Sequence, residues 1–526
     1  MHIFRFWQKS EGNDMITVIR KADKPVSEIN RAIQDVATDW FMVIGSRDRL
    51  SENALTLFTE KIKHAADLVL AYADEDRLEK DGSTCRPFFK PDWSPDLLLS
   101  MNYIGRTAVY RTEEVRKRDL RFREGLGQMV GWDFTIRYLE ETGVLDPAED
   151  FGTERAKICH IPEVLLYQKQ KGDSLYRAED IAAGKKMLEE YLERRGYTGT
   201  VEVLRKADPE QIRLHQIPVD ARTEEGGYRI RYADRTAGRK ADAELPLVSI
   251  VIPSKDNVQI LQQCLESIRL HTDYPSVEIV LVDNGSSEEN KNAIEQYLEA
   301  AFSDNIPVKY LYQPMPFNFS RMCNIGAEAA SGEYILLLND DMEILQDDWL
   351  RILEGQASGQ NCGAAGAKLL YPGSRTIQHI GITNLAGGPS HNCIHRCDDE
   401  DWYMGRNRLL YNYLAVTGAC LLVSAEKYRE AGGLDENFAV AYNDVDLCYT
   451  LYEKGYYNVV RQDVILYHHE SVSRGVDAMD EQKMERLIRE RTAMYAKHSM
   501  DLGEDPFYNP NLNPSADNFL LPGEQP

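Results

Sequence analysis

The stretch GEYILLLNDDMEILQDDWL, residues 332–350, decides the fold. Tyr334-Ile335-Leu336-Leu337-Leu338 is an unbroken apolar run of strand length, the pattern of a strand buried in a parallel sheet. Asn339, Asp340 and Asp341 follow at once, so they fall at the strand's carboxyl end, where open α/β sheets bind ligands. Two adjacent carboxylates repel each other there unless a cation offsets them, and hard divalent cations favour oxygen ligands. A solvated turn would use the same residue types. The flanking sequence decides between the two.

Upstream, PLVSIVIPSKDN (246–257) reads as a strand ending in a polar turn, and a helical stretch with Leu261, Leu265 and Ile268 follows. VEIVLVDNGSS (277–287) is then a second strand, and a right-handed crossover makes the pair parallel. Asp256 and Asp283 both fall just past strand ends, on the edge where Asp341 is expected. Three acidic tips on one edge of a doubly wound sheet look like a nucleotide-diphosphate site with a metal. Neither GxGxxG nor GxxxxGK[ST] occurs, which excludes a dinucleotide fingerprint and a P-loop.

In order along the chain stand SIVIPSKDN, LVDNGS, FNFSRMCNIGAEAASGEYILLLNDD, GAKLLYPGSRTIQHIG, VTGACLLVSAEKYREAGGLDE, NDVDLCYTL and LYHHESVSRG. This series, from about Pro246 to about Leu512 with the tail DPFYNPNLNP, resembles the family 2 glycosyltransferases, above all bacterial ones that build cell-surface polysaccharides. The resemblance implies a GT-A fold, a nucleotide-diphospho-sugar donor, Mg²⁺ or Mn²⁺, and inversion at the anomeric carbon. It implies a saccharide or lipid-linked glycan acceptor and a cytoplasmic enzyme, with peripheral association at the inner face of the membrane as a further expectation.

Residue by residue, the resemblance puts Asp256 and Asp283 against the base and ribose. Pro253, Ser254, Gly285, Ser286, Arg321, Asn324 and Asp340 join them around the donor. Asp341, with Asp340, takes the position of the metal-binding DXD acid, although Asn339 stands where many members have Asp. Asp444 of NDVD matches the general base, and His468 matches a histidine that completes the metal or diphosphate site; spacing alone does not separate His468 from His469. A departing diphosphate needs its charge met, and an acceptor hydroxyl needs a carboxylate to take its proton. Without the resemblance, Asp444 reads as a helix N-terminal acid and His468 as a packed strand-end histidine.

The chain also repeats itself. NRAIQDVATDWFMVIGSRDRLS (30–51) aligns without gaps on NIGAEAASGEYILLLNDDMEIL (324–345), WDFTIRYLEETG follows VDLCYTLYEKG, and EVLLYQK (163–169) follows DVILYHH (463–469). The chemical residues do not recur. Asn339, Asp340 and Asp341 become Gly45, Ser46 and Arg47; Asp444 becomes Gly131; His468 becomes Gln168. The copy begins near Met15, so nothing is expected to match the strand unit at 247–287. The fold class is therefore α/β: a GT-A catalytic domain at 246–512, preceded by a truncated, degenerate GT-A-like domain at 1–200. A linker at 201–245, with GYRIRY as a short strand, and a tail at 513–526 complete the division. YADEDRLEKDG and FFKPDWSPDLLLSMNYIG (72–105) also resemble tandem-domain members; there Asp74, Glu75 and Asp76 read as a solvated loop before an acceptor contact.

At 526 residues, two or three domains are expected, and 43% apolar residues suffice for real cores. The net charge of −24 argues against a nucleic-acid partner, which needs a basic patch. No apolar run approaches spanning length and the amino terminus lacks an apolar signal core, so a cytoplasmic location is expected. Nine cysteines then read as reduced, mostly buried thiols. HNCIHRC (391–397) lacks the second ligand pair of a zinc site and reads as a loop on the acceptor side. Trp349 and Trp402 are aromatic candidates for sugar or core, with core favoured for Trp349. Two rival readings are a non-catalytic nucleotide-sugar-binding scaffold subunit, against which the retained acids argue, and a bifunctional two-site polymerase, against which the lost acids of the first copy argue.

Overall fold

The computed structural model describes residues 13–21, 25–78, 83–84, 87–147, 151–169, 177–204, 227–235, 245–302, 306–469 and 481–524. The first twelve residues, 79–82 of YADEDRLEKDG, 205–226 and 236–244 of the expected linker, and 470–475 of LYHHESVSRG lie outside the described residues.

Strands β1 (Ile16–Lys21), β2 (Trp40–Gly45), β3 (Arg49–Leu50), β4 (Leu70–Leu78), β5 (Ala108–Arg111) and β6 (Ile158–Lys169) form a six-stranded sheet, ordered β1-β2-β5-β4-β6-β3. β7 (Thr198–Val203) and β8 (Tyr228–Asp234) pair as an antiparallel ribbon. The larger sheet is built from β9 (Val248–Ser254), β10 (Val277–Asp283), β11 (Val308–Tyr312), β12 (Tyr334–Leu338), β13 (Met342–Ile344) and β14 (Cys362–Leu370). β15 (Ile377–His379) adds to β14; β16 (Ile382–Leu385) and β17 (Gly388–His391) make a separate pair; β18 (Asn412–Tyr413), β19 (Cys420–Ser424) and β20 (Tyr457–His468) complete it. Its order is β11-β10-β9-β12-β19-β14-β20-β13. Every residue of β9 and β10 is buried, as the apolar runs require of strands covered on both faces.

Along its main path and without β10 and β11, the larger sheet repeats the order of the smaller one, with β15 on β14 and β18 on β20 as additional pairings. In both, the first pair is parallel, the next two antiparallel, the fourth parallel and the last antiparallel. One expectation is corrected here. β1 occupies the place of β9, since Ile16 lies beside Trp40 as Val248 lies beside Tyr334. Along that path only β10 and β11 lack counterparts among the described residues. This is an α/β chain with a GT-A-like sheet preceded by a smaller sheet of the same design.

The two parts are joined by buried polar bonds. Asn412 Nδ2 donates to Asp96 Oδ2 at 2.7 Å, and Gln356 Nε2 donates to Asp96 Oδ1 at 2.9 Å. The Arg155 guanidinium lies 3.7 Å from the centre of the Tyr452 ring. In the expected linker, β8 packs on the helix Trp349–Ala357 so closely that a Cβ on Gly355 would sit 1.9 Å from the Tyr232 carbonyl oxygen. The expected tail is also built in, with Ala516 and Phe519 buried. Among the described residues no helix is long and apolar enough to cross a membrane.

Arg235 Nη2 meets Asp146 Oδ1 at 2.9 Å, and both side chains are almost fully buried. Asp146 also accepts from Asn361 Nδ2 and the Tyr191 hydroxyl. Asp146→Ala leaves a guanidinium buried without its counter-charge, which costs about 3–5 kcal/mol. Chemical denaturation of the full chain is expected to show a loss of that order; a loss within experimental error would mean that the pair contributes nothing to joining the two parts.

Candidate functional site

The carboxyl ends of β9, β10 and β12 converge on one edge, as parallel pairing of β9 with both neighbours dictates. Ser254 Oγ, at the end of β9, donates to Asp340 Oδ2 at 2.7 Å, so the tips of β9 and β12 touch. Pro253 and Ser254 are buried beneath this contact. Asp256 is exposed with a left-handed backbone, φ 59°. Its amide donates to Ser286 Oγ, and its Oδ1 accepts from Asn290 Nδ2 and the Ser287 amide. The Asn290 bond, followed by that from Ser287, holds this carboxyl below the usual carboxylate range.

Asp283 is fully buried. Its Oδ1 accepts the Ser286 amide at 2.8 Å and its Oδ2 the Tyr310 hydroxyl at 2.5 Å; burial, followed by this bond, pushes the phenol far above its ordinary value. Asp283 thus shapes the turn through Gly285, which has φ 79° and lies against Pro314. Asn324 is engaged as well: its Oδ1 accepts from the Tyr428 hydroxyl and the Leu434 amide, and its Nδ2 donates to the Leu434 carbonyl. Arg321 is exposed in the first turn of the helix Phe319–Ala329.

Asp341 Oδ1 lies 3.0 Å from His468 Nε2. The antiparallel pairing of β13 with β20 sets Met342 beside His468 and so produces this contact. His469 points elsewhere, its Nε2 2.8 Å from Glu343 Oε2. His468 Nδ1 lies 2.7 Å from Gln378 Oε1. A carboxamide oxygen only accepts, so Nδ1 carries a proton and Nε2 is the ring nitrogen that faces Asp341. Asn339 Nδ2, 3.4 Å from Nε2, is placed to donate to it. Gln378 sits in the TIQHIG stretch, and sequence reading assigned it no role.

An imidazole nitrogen and a carboxylate oxygen at that separation need a proton or a cation between them, and both atoms are of types that bind divalent metals. Among the described residues no group of three or more His, Cys, Asp or Glu side chains could hold one alone.

Asp444 lies in the first turn of the helix Asn443–Glu453, after Tyr442 at φ 59°. The Gly418 amide donates to its Oδ2 at 2.7 Å and the Val445 amide to its Oδ1 at 2.8 Å. Next to Gly418, the Ala419 carbonyl accepts from the Asn339 amide at 3.1 Å, which ties the Asp444 loop to the tip of β12. The second acid of NDVD, Asp446, is buried. It meets His498 Nε2 at 2.9 Å and Lys497 Nζ at 2.8 Å, and His498 Nδ1 meets Glu453 at 3.0 Å.

Burial opposes protonation of His498, but Asp446 and Glu453 outweigh it and raise the imidazole above its ordinary value. The folded chain then keeps a proton that the unfolded chain has lost. Stability from this pairing is full below pH ~6.5 and is lost as pH rises through the folded value. Melting temperature is expected to fall between pH 6 and 9 more steeply in the wild type than in His498→Gln; parallel slopes would refute the pairing.

Other candidates fall outside this edge. Trp349 is core, with its indole N–H on Thr272 Oγ1 at 3.1 Å. Trp402 donates to the Cys397 carbonyl at 2.9 Å within a small apolar cluster. In HNCIHRC, Cys393 is buried and His391 Nδ1 lies 3.2 Å from His379 Nδ1. Asp74, Glu75 and Asp76 correct the expectation of a solvated loop, because all three are buried. Lys90, His160, Thr107 and Asn509 supply the polar partners that make burial of Asp74 and Glu75 tolerable.

Residues 249–401 match the family model described as Glycosyl transferase family 2. The chain is 34% identical over 512 residues to an uncharacterized protein, y4gI, of Sinorhizobium fredii, covering 96% of this chain and 52% of that one. It is 33% identical over 492 residues to the O-antigen biosynthesis protein RfbC of Myxococcus xanthus, covering 91% of this chain and 34% of that one. The chain thus spans about half or less of these curated relatives. Among solved structures it is similar to the mannosyltransferase PcManGT from Pyrobaculum calidifontis, with a TM-score of 0.36 and 16% identity, covering 50% of this chain and 67% of that one. The α/β sheet, its acidic edge and the match over 249–401 together make this chain a bearer of a glycosyl transferase family 2 domain.

Proposed function

We propose that residues 246–512 form a metal-dependent, inverting glycosyltransferase. It moves a sugar from a nucleotide-diphospho-sugar to a hydroxyl of a saccharide or lipid-linked glycan, in cell-surface polysaccharide synthesis. The observation that carries the reading is the pairing of Asp341 with His468 on the edge to which Gly418 and Ala419 tie Asp444. The name of the Myxococcus xanthus relative, O-antigen biosynthesis protein, supports the polysaccharide context.

In this reading Asp444 accepts the proton of the acceptor hydroxyl while its oxygen attacks the anomeric carbon, and the bond from that carbon to the diphosphate breaks in the same displacement. Amide bonds from Gly418 and Val445 orient the carboxylate, and each oxygen keeps a lone pair for the proton. Asp341 and His468, with Asp340 beside them, would hold Mg²⁺ or Mn²⁺, which supplies positive charge against the leaving diphosphate. Ser254 fixes Asp340, and the Asp256–Ser286–Asn290 turn presents polar groups to the nucleoside side.

A panel of nucleotide sugars screened by thermal shift with Mn²⁺ tests this. One or a few donors are expected to raise the melting temperature in the presence of Mn²⁺ and to be hydrolysed slowly without acceptor. If a donor binds but is neither hydrolysed nor transferred, the catalytic reading fails and a binding subunit takes its place.

A further inference from the structure

The edge of the smaller sheet that corresponds to the catalytic one carries the opposite charge. A cavity of about 340 Å³ opens there, between the end of β1, the turn after β2, the loop at 102–106, the first turn of the helix Val130–Glu141 and the end of β6. Four cations line it: Lys21, Arg47, Arg106 and Lys169. By strand register Lys21 stands where the larger sheet has Pro253, and by the sequence repeat Arg47 stands in place of Asp341 and Lys169 in place of His469.

One carboxylate, Asp48, lines the same cavity. It accepts the Gly45 amide at 2.7 Å and pairs with Arg106 at 3.2 Å. Lys21, Arg47 and Lys169 have no ion-pair partner among the described residues. The crowding is felt: burial and the charge of Arg106 both lower the Lys21 ammonium from its ordinary value. The positive end of the Val130–Glu141 helix adds to the field. Gly131, in place of the catalytic acid, leaves the floor open, since a Cβ there would meet nothing within 4 Å.

The geometry points to a metal-independent site for a phosphate group carried by a sugar or a lipid-linked sugar. In the larger sheet a cation must be recruited because the strand tips are acidic; here ammonium and guanidinium groups built into the chain supply the charge. The volume falls at the small end of ligand pockets. Among the described residues nothing corresponds to β10 and β11, whose turn would hold a nucleoside, so the phosphate group is the part recognised. The inference stands apart from the catalytic reading, since it uses none of its residues.

Calorimetry on the full chain in chelator, with inorganic pyrophosphate as probe, tests it. Binding is expected in the wild type and equally in Asp341→Ala, and is expected to weaken by about tenfold or more in Arg47→Ala/Lys169→Ala. Both replaced side chains are exposed, so the fold is retained. Arg106→Gln is a second variant with the same expected direction. Absence of binding in chelator, or affinity unchanged by the double substitution, overturns the proposal; so does equal affinity for glucuronate, which would mean that any anion suffices. Co-sedimentation with phosphatidylcholine vesicles, with and without phosphatidic acid, separates the two sources. Phosphatidic-acid-dependent binding that the double substitution removes assigns the phosphate to a lipid headgroup. Pyrophosphate binding without vesicle binding assigns it to a soluble sugar phosphate.

Discussion

Asp341→Ala is expected to abolish donor turnover and Mn²⁺-dependent nucleotide binding while the melting temperature of the apo chain stays near that of the wild type. Asp341 faces His468 Nε2 at 3.0 Å, and Gln378 fixes the imidazole so that this nitrogen points at the carboxylate. With so few side chains available to a cation there, loss of one carboxylate leaves an imidazole and a neighbouring acid that a hard ion holds weakly. Gln378→Ala should reproduce part of the loss, because it frees the ring to take the other tautomer; such outer partners are typically worth about 10- to 100-fold. Full activity of Asp341→Ala, or of the wild type in chelator, would remove the metal from the mechanism.

Asp444→Asn should lower transfer by about 10²–10⁴-fold with donor affinity nearly unchanged. The amide keeps the shape of the carboxylate and can still accept from Gly418, but it cannot take a proton. Donor hydrolysis and acceptor transfer measured side by side separate the roles. A base acting on the acceptor loses transfer at saturating donor, whereas a purely structural acid at a helix start would raise the donor requirement and lower stability instead. Normal transfer at saturating donor in this variant would assign Asp444 to the helix cap.

The β12 tip was legible because five apolar residues ending in three polar ones leave the chain little choice of place. The pairing of His468 rather than His469 with Asp341 was not, since it depends on which residue of β20 falls opposite Met342, and register across 126 residues is not written in local pattern. Gln378 was invisible for a similar reason: its partner lies 90 residues away. Asp283 shows the converse limit. A strand-end acid reads as a ligand-facing group, but the Tyr310 hydroxyl on the next strand takes one of its oxygens. Asp74, Glu75 and Asp76 were misread because charge in a short run suggests water, and the partners that replace water come from distant segments. The repeat was plain in sequence, whereas the substitution of fixed cations for acids at its strand tips gained meaning only when Lys21, Arg106 and Lys169 were seen around one cavity.

The carboxy-terminal segment sets a timetable for synthesis. Asp74 is completed by Asn509, 435 residues later, and the same amide binds the Lys90 carbonyl, 419 residues on. Domains of a nascent chain ordinarily close in the order they leave the ribosome, yet here the first sheet emerges with buried acids whose last partner has not been translated. That bond cannot form until the chain has been made through Asn509. Ribosomes stalled short of Asn509 should therefore carry an amino-terminal half that is more open to protease around Asp74 and Lys90 than it is in the full chain.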